Sequence, residues 1–151
     1  MLAVVLAAAP GLAASRARKP AVRSNLCTLK IAKQVHALGM YGKCTPHRAA
    51  KVGSMIIASA DWGTGPHGVG ITVYGDMPKA TFRAEFVDRF RSVVRIGSFA
   101  RYVTAPAGVA LTAWVRGLGL FVDLRHDSTT AKNRAYRARL LALGRAVAKQ
   151  I

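Results

Sequence analysis

Cys27 and Cys44 are the only thiols in the chain; His36 stands between them, and His47 closes the run Cys44-Thr45-Pro46-His47. Two chemistries compete for these side chains. Zinc would need Cys27, His36, Cys44 and His47 together, and their wide separations match no compact finger. A disulfide needs only the two sulfurs, and two thiols in an exported domain most often form one. The reading is a Cys27–Cys44 bridge and no metal, with a stabilisation of roughly 3 kcal/mol from closing the loop.

A covalent nucleophile requires a nearby base and a third group to orient it. The histidines are His36, His47, His67 and His126, and none sits in a catalytic motif. His126-Asp127-Ser128 holds the residue types of a triad, but neighbours in sequence do not build triad geometry, and Asp and Ser there suit a capping turn. The acids Asp61, Asp76, Glu85, Asp88, Asp123 and Asp127 show no evident glycosidase pair or metal cluster. Gly63-Thr64-Gly65-Pro66-His67-Gly68 lacks the Lys-Ser/Thr end of a phosphate-binding loop, and Pro66 removes a backbone donor. No catalytic residue, cofactor or metal is assigned; a hydrolase with an unrecognised site remains an alternative.

The elements that carry these residues follow from periodicity and punctuation. Thr28 is placed to cap a helix over 29–38, with Ile31, Val35 and Leu38 on one stripe and Gly39 as the stop. Residues 54–60 and 69–74 read as strands of an antiparallel hairpin around the turn 61–68. Asp76, Met77 and Pro78 begin a second helix whose Phe82, Phe86, Phe90 and Val93 share a face, ending by Gly97. Strands are expected at 99–104, 109–116 and 119–125, the last two joined by a Gly117-Leu118 turn. Val109, Leu111, Ala113 and Val115, with Leu120, Val122 and Leu124, should face the helices. Thr112, Trp114, Arg116, Phe121, Asp123 and Arg125 fall on the opposite face. Ser128 or Thr129 should cap a last helix carrying Tyr136, Leu140, Leu143, Val147 and Ile151 inward. The expected fold is α+β: an antiparallel sheet of about five strands with three helices packed on it, in the order α-β-β-α-β-β-β-α.

The chain has 151 residues, 52% of them apolar, which fits one folded domain and excludes a disordered polymer. Its 23 Lys and Arg against 6 Asp and Glu give a net charge of +17. Such a charge draws a protein to nucleic acid, anionic lipid or an acidic wall polymer without specifying a fold. Residues 1–15 combine an uncharged apolar run, a Pro10-Gly11 break and small residues, in the manner of a signal peptide. Residues 16–25 are basic, aperiodic and contain Pro20, so they read as a flexible arm, leaving 26–151 as the single domain.

The Cys-Thr-Leu start before a short helix ending at Gly39, Cys44, the Ile96-Gly97-Ser98-Phe99-Ala100 turn and the Leu/Ala-rich final helix resemble small exported proteins and lipoproteins of actinobacteria of the domain-of-unknown-function type. The resemblance spans residues 26–151 and rests on short structural motifs. It implies helices packed on an antiparallel sheet, a secreted or surface location and no established catalytic site. Ser24, Asn25 and Leu26 before Cys27 do not form a lipid-attachment signal, and the chain is more basic than such relatives usually are.

The expectation is an exported, non-enzymatic binding or structural domain of the cell envelope, monomeric, engaging an anionic envelope polymer or a membrane surface. Its candidate partner surface is Trp114, Arg116, Phe121 and Arg125, whose alternative is ordinary burial under another element. The basic helix face is Arg134, Arg137, Arg145 and Lys149. A nucleic-acid binder is the other alternative, disfavoured because no helix-turn-helix, zinc-finger or RNA-recognition motif is present.

Overall fold

The computed structural model describes residues 25–47, 55–64, 67–88, 92–105, 108–125 and 136–151. Among them the elements run α1 (Leu29–Ala37), β1 (Cys44–His47), β2 (Ile56–Thr64), β3 (His67–Tyr74), α2 (Lys79–Phe86), β4 (Ser92–Val94), β5 (Phe99–Ala105), β6 (Gly108–Val115), β7 (Leu118–Arg125) and α3 (Arg137–Ala148). All strand pairs are antiparallel, in one sheet ordered β1-β2-β3-β7-β6-β5-β4. Each half of the chain is a meander whose last strand lies at the centre, where β3 pairs with β7.

The α+β class holds, but the sheet has seven strands rather than about five. The two additional strands are its edges. β1 is short and contains Pro46, which donates nothing to a ladder and is tolerated at an edge. The Phe82, Phe86, Val93 spacing predicts one long helix; instead α2 ends at Phe86, and Val93 is an exposed residue of β4. Phe90 lies outside the described residues, as do Ser128 and Thr129. The first hairpin is also tighter than expected, because β2 runs through Asp61 and Trp62 to Thr64. The second hairpin turns on Arg116-Gly117, so Leu118 belongs to β7.

One sheet face packs against α1 and α3. Ala58, Ala60, Trp62, Val69, Ile71, Leu111, Leu120 and Val122 are buried there with Ile31, Val35, Leu38, Leu140, Leu143 and Val147. Gly144 lets α3 approach β6, since a Cβ at that position would strike Leu111 Cδ2. The predicted stripes of both helices are therefore the ones that meet the sheet. α1 also ends as its sequence suggests: Gly39 (φ 83°) and Met40 donate backbone N–H groups to His36 and Val35 carbonyls, a Schellman closure.

The chain must cross the sheet to pass from central β3 to edge strand β4, and α2 lies on that crossing. Its Phe82 is fully buried on Trp114, ring centroids 5.5 Å apart, and joins Met77 and Val87 in a second small core. Gly119 makes room, because a Cβ there would stand 2.5 Å from the Phe82 ring. Burying such a ring stabilises by about 1.5–3 kcal/mol and is one of the contacts that fasten the eight-residue α2 to the sheet.

Candidate functional site

The cations gather where α1 meets α3. Lys30, Lys33, Arg145 and Lys149, with Gln34 and Gln150, line a cleft of ≈ 530 Å³. Arg145 and Lys149 also line a neighbouring cleft of ≈ 570 Å³, which adds Arg95 and Arg116 beside Gly97 and Ser98. The two clefts thus share a cationic wall. Among the described residues none of these six basic side chains makes an ion pair. Like charges held together without counter-charges repel one another, so the arrangement favours an anion that neutralises them.

Two local devices position this wall. Thr28 caps α1 by accepting from the Ile31 N–H at 3.4 Å, and its hydroxyl also accepts from Gln150 Nε2 at 2.9 Å. The start of α1 is thereby tied to the end of α3, bringing the lysines of one helix beside the cations of the other. Arg116 is presented by the two-residue β6–β7 turn, in which Arg116 (φ 50°) and Gly117 (φ 85°) are both left-handed. Such a turn favours Asn-Gly or Gly-Gly, and an arginine there carries strain of about 1 kcal/mol or more. Arg116→Asn should therefore raise thermal stability by about 1 kcal/mol while weakening polyanion binding several-fold through the lost charge. Parallel melting and binding curves check this; unchanged binding removes Arg116 from the site.

A second polar cluster occupies the other face of the sheet. Asp61, Gly70 and Asp123 stand in one row across β2, β3 and β7. Asp61 accepts from Arg125 Nη2 at 2.7 Å through Oδ1, and its Oδ2 bonds His47 Nε2 at 2.8 Å. Arg125 Nε also lies 3.2 Å from Asp123 Oδ2. Burial holds the Asp123 carboxyl above its ordinary range; Arg125 opposes that effect and Asp61 adds to it. Burial, with Asp123 and Glu85 nearby, likewise raises the Tyr74 phenol. Gly70 permits the convergence, since a Cβ there would meet both carboxylates.

The Asp61–Asp123 pair was not legible from sequence, because it depends on the register of strands far apart in the chain. Both Asp61 oxygens are engaged, one by His47 and one by Arg125, so the cluster ties edge strand β1 to central β7. Among the described residues no group of His, Cys, Asp and Glu is arranged to hold a metal ion.

The candidate partner surface is dispersed. Trp114 is 7% exposed beneath Phe82, and Phe121 is half-buried with its ring 6.0 Å from Phe86. Arg125 is bound into the carboxylate cluster at the far end of β7, whereas Arg116 belongs to the cationic wall. On the basic helix face, Arg145 and Lys149 line both clefts, and Arg137 lies over the Tyr102 ring at 5.4 Å. Arg134 is outside the described residues. Lys30, Lys33 and Arg95 were not singled out from sequence as site residues; the exposed positions of Lys30 and Lys33 beside the α1 core stripe are the signal that points to them.

The predicted bridge is present: Cys27 and Cys44 are disulfide-bonded, Cα atoms 5.7 Å apart, linking the start of α1 to β1. No helix among the described residues is long and apolar enough to cross a membrane. Compared with known proteins, the chain matches no family model, no curated protein and no solved structure.

Proposed function

We propose that this chain is an exported, non-enzymatic binding domain of the cell envelope that engages phosphate-type anionic groups, of a wall polymer or a membrane surface, through the cleft between α1 and α3. The observation that carries the reading is the wall of Lys30, Lys33, Arg95, Arg116, Arg145 and Lys149, none of which makes an ion pair among the described residues. The Cys27–Cys44 bridge supports an oxidising, extracytoplasmic location, since such bonds are rare where thiols are kept reduced. The signal-peptide-like segment 1–15 and the likeness to small exported actinobacterial proteins belong to the same proposal.

Fractionation of expressing cells tests it. The protein should be recovered with the envelope, oxidised at Cys27 and Cys44, and should be released by a high-salt wash, because exposed charge contacts are screened by salt. A reduced chain confined to the cytoplasm would overturn the location and revive the nucleic-acid alternative.

A further inference from the structure

We propose that the anionic partner is a lipid bilayer surface, with the cleft cations receiving lipid phosphates while Leu29 and Tyr41 enter the headgroup layer. This deepens, and rests on, the cationic-cleft reading above.

The additional observation is apolar. Leu29 is 90% exposed and Tyr41 78% exposed, the two most exposed large hydrophobic side chains among the described residues. They flank α1 at either end. Leu29, Lys33 and His36 fall at helical spacings of i, i+4 and i+7, on the side of α1 away from its buried Ile31 and Val35. Tyr41 continues that stripe, its ring 5.5 Å from the His36 ring. Lys33 belongs at once to this stripe and to the cleft. The surface therefore sets an apolar tip at each end of a stripe that carries Lys33 and borders the cleft cations, as on elements that lie in a bilayer interface, where buried apolar area and attraction to anionic headgroups add. A soluble polyanion held between α1 and α3 would use the cations and gain nothing from a leucine directed outward. Tyrosine suits the same boundary, with an apolar ring and a polar hydroxyl.

The test uses the full chain with three probes: vesicles of phosphatidylglycerol in phosphatidylcholine, vesicles of phosphatidylcholine alone, and soluble linear polyphosphate. Leu29→Trp supplies a reporter, because native Trp62 and Trp114 are 1% and 7% exposed and so shielded from solvent. Its emission should shift to the blue with the anionic vesicles and remain unshifted with polyphosphate. The Leu29→Ser/Tyr41→Ser variant should bind those vesicles about tenfold or more weakly, from the lost apolar insertion, with polyphosphate affinity unchanged. Both positions are exposed, so folding is preserved. If the variant binds anionic vesicles as tightly as the native chain and the reporter does not shift, while polyphosphate still binds, the lipid proposal falls and the cleft reading stands with a soluble polymer as partner. If neither anionic probe binds, both fall together.

Discussion

Arg145→Glu/Lys149→Glu should lower affinity for anionic vesicles or polyphosphate by about a thousandfold. These two residues line both clefts, so reversing them affects the whole cationic wall. Each reversal changes the local charge by two; at roughly 1 kcal/mol per basic charge close to an anionic surface, the pair amounts to about 4 kcal/mol. Folding should persist, since both side chains are exposed on α3 while Leu140, Leu143 and Val147 hold the helix to the sheet. The control is Lys79→Glu/Arg83→Glu, which makes the same change in net charge on exposed residues of α2, across the sheet. Its affinity should remain within a few-fold of the native value. Equal losses in both variants would mean that overall charge, rather than the cleft, does the binding.

Removing the Cys27–Cys44 bridge should cost about 3 kcal/mol of stability, seen as a fall in Tm of about 10 °C for Cys27→Ser/Cys44→Ser. The bridge restricts the unfolded chain, and it also fastens the start of α1 to the edge of the sheet. Leu26, 1% exposed beside Cys27, and the Thr28–Gln150 contact act at the same junction. Loosening it displaces Lys30 and Lys33, so the variant should bind polyphosphate more weakly at temperatures where it is still folded. Equal thermal stability with and without reductant would show that the packing of α1 alone suffices and that the bridge has no part in shaping the cleft.

The local parts of this fold are written plainly in the chain. Thr28, Gly39 and the Ile31/Val35/Leu38 stripe define α1 through capping and period, whereas Leu140, Leu143 and Val147 define α3 by period alone, since it starts at Arg137 with Tyr136 making no side-chain cap hydrogen bond. The inward alternation of Leu111, Leu120 and Val122 is likewise readable, because one buried sheet face enforces it. The edges are not. A four-residue strand with a proline and a three-residue strand after an aromatic run contain too few residues to show a period of two. The alternation places Trp114 on the outward face, and nothing local announces that α2 crosses above it; the crossing follows from the place of β4 at the far edge. The cleft is harder still, since its cations come from α1, the approach to β5, the β6–β7 turn and α3. Only the fold brings them together, giving six of the 23 basic residues one surface.

The most direct measurement is calorimetric titration of the native chain with linear polyphosphate at about 50 mM and about 200 mM salt, the range over which polyelectrolyte contacts weaken by orders of magnitude. The cationic-cleft account predicts saturable binding that weakens at least tenfold across that range. Absence of binding at the lower salt, or an affinity unchanged between the two, would contradict it.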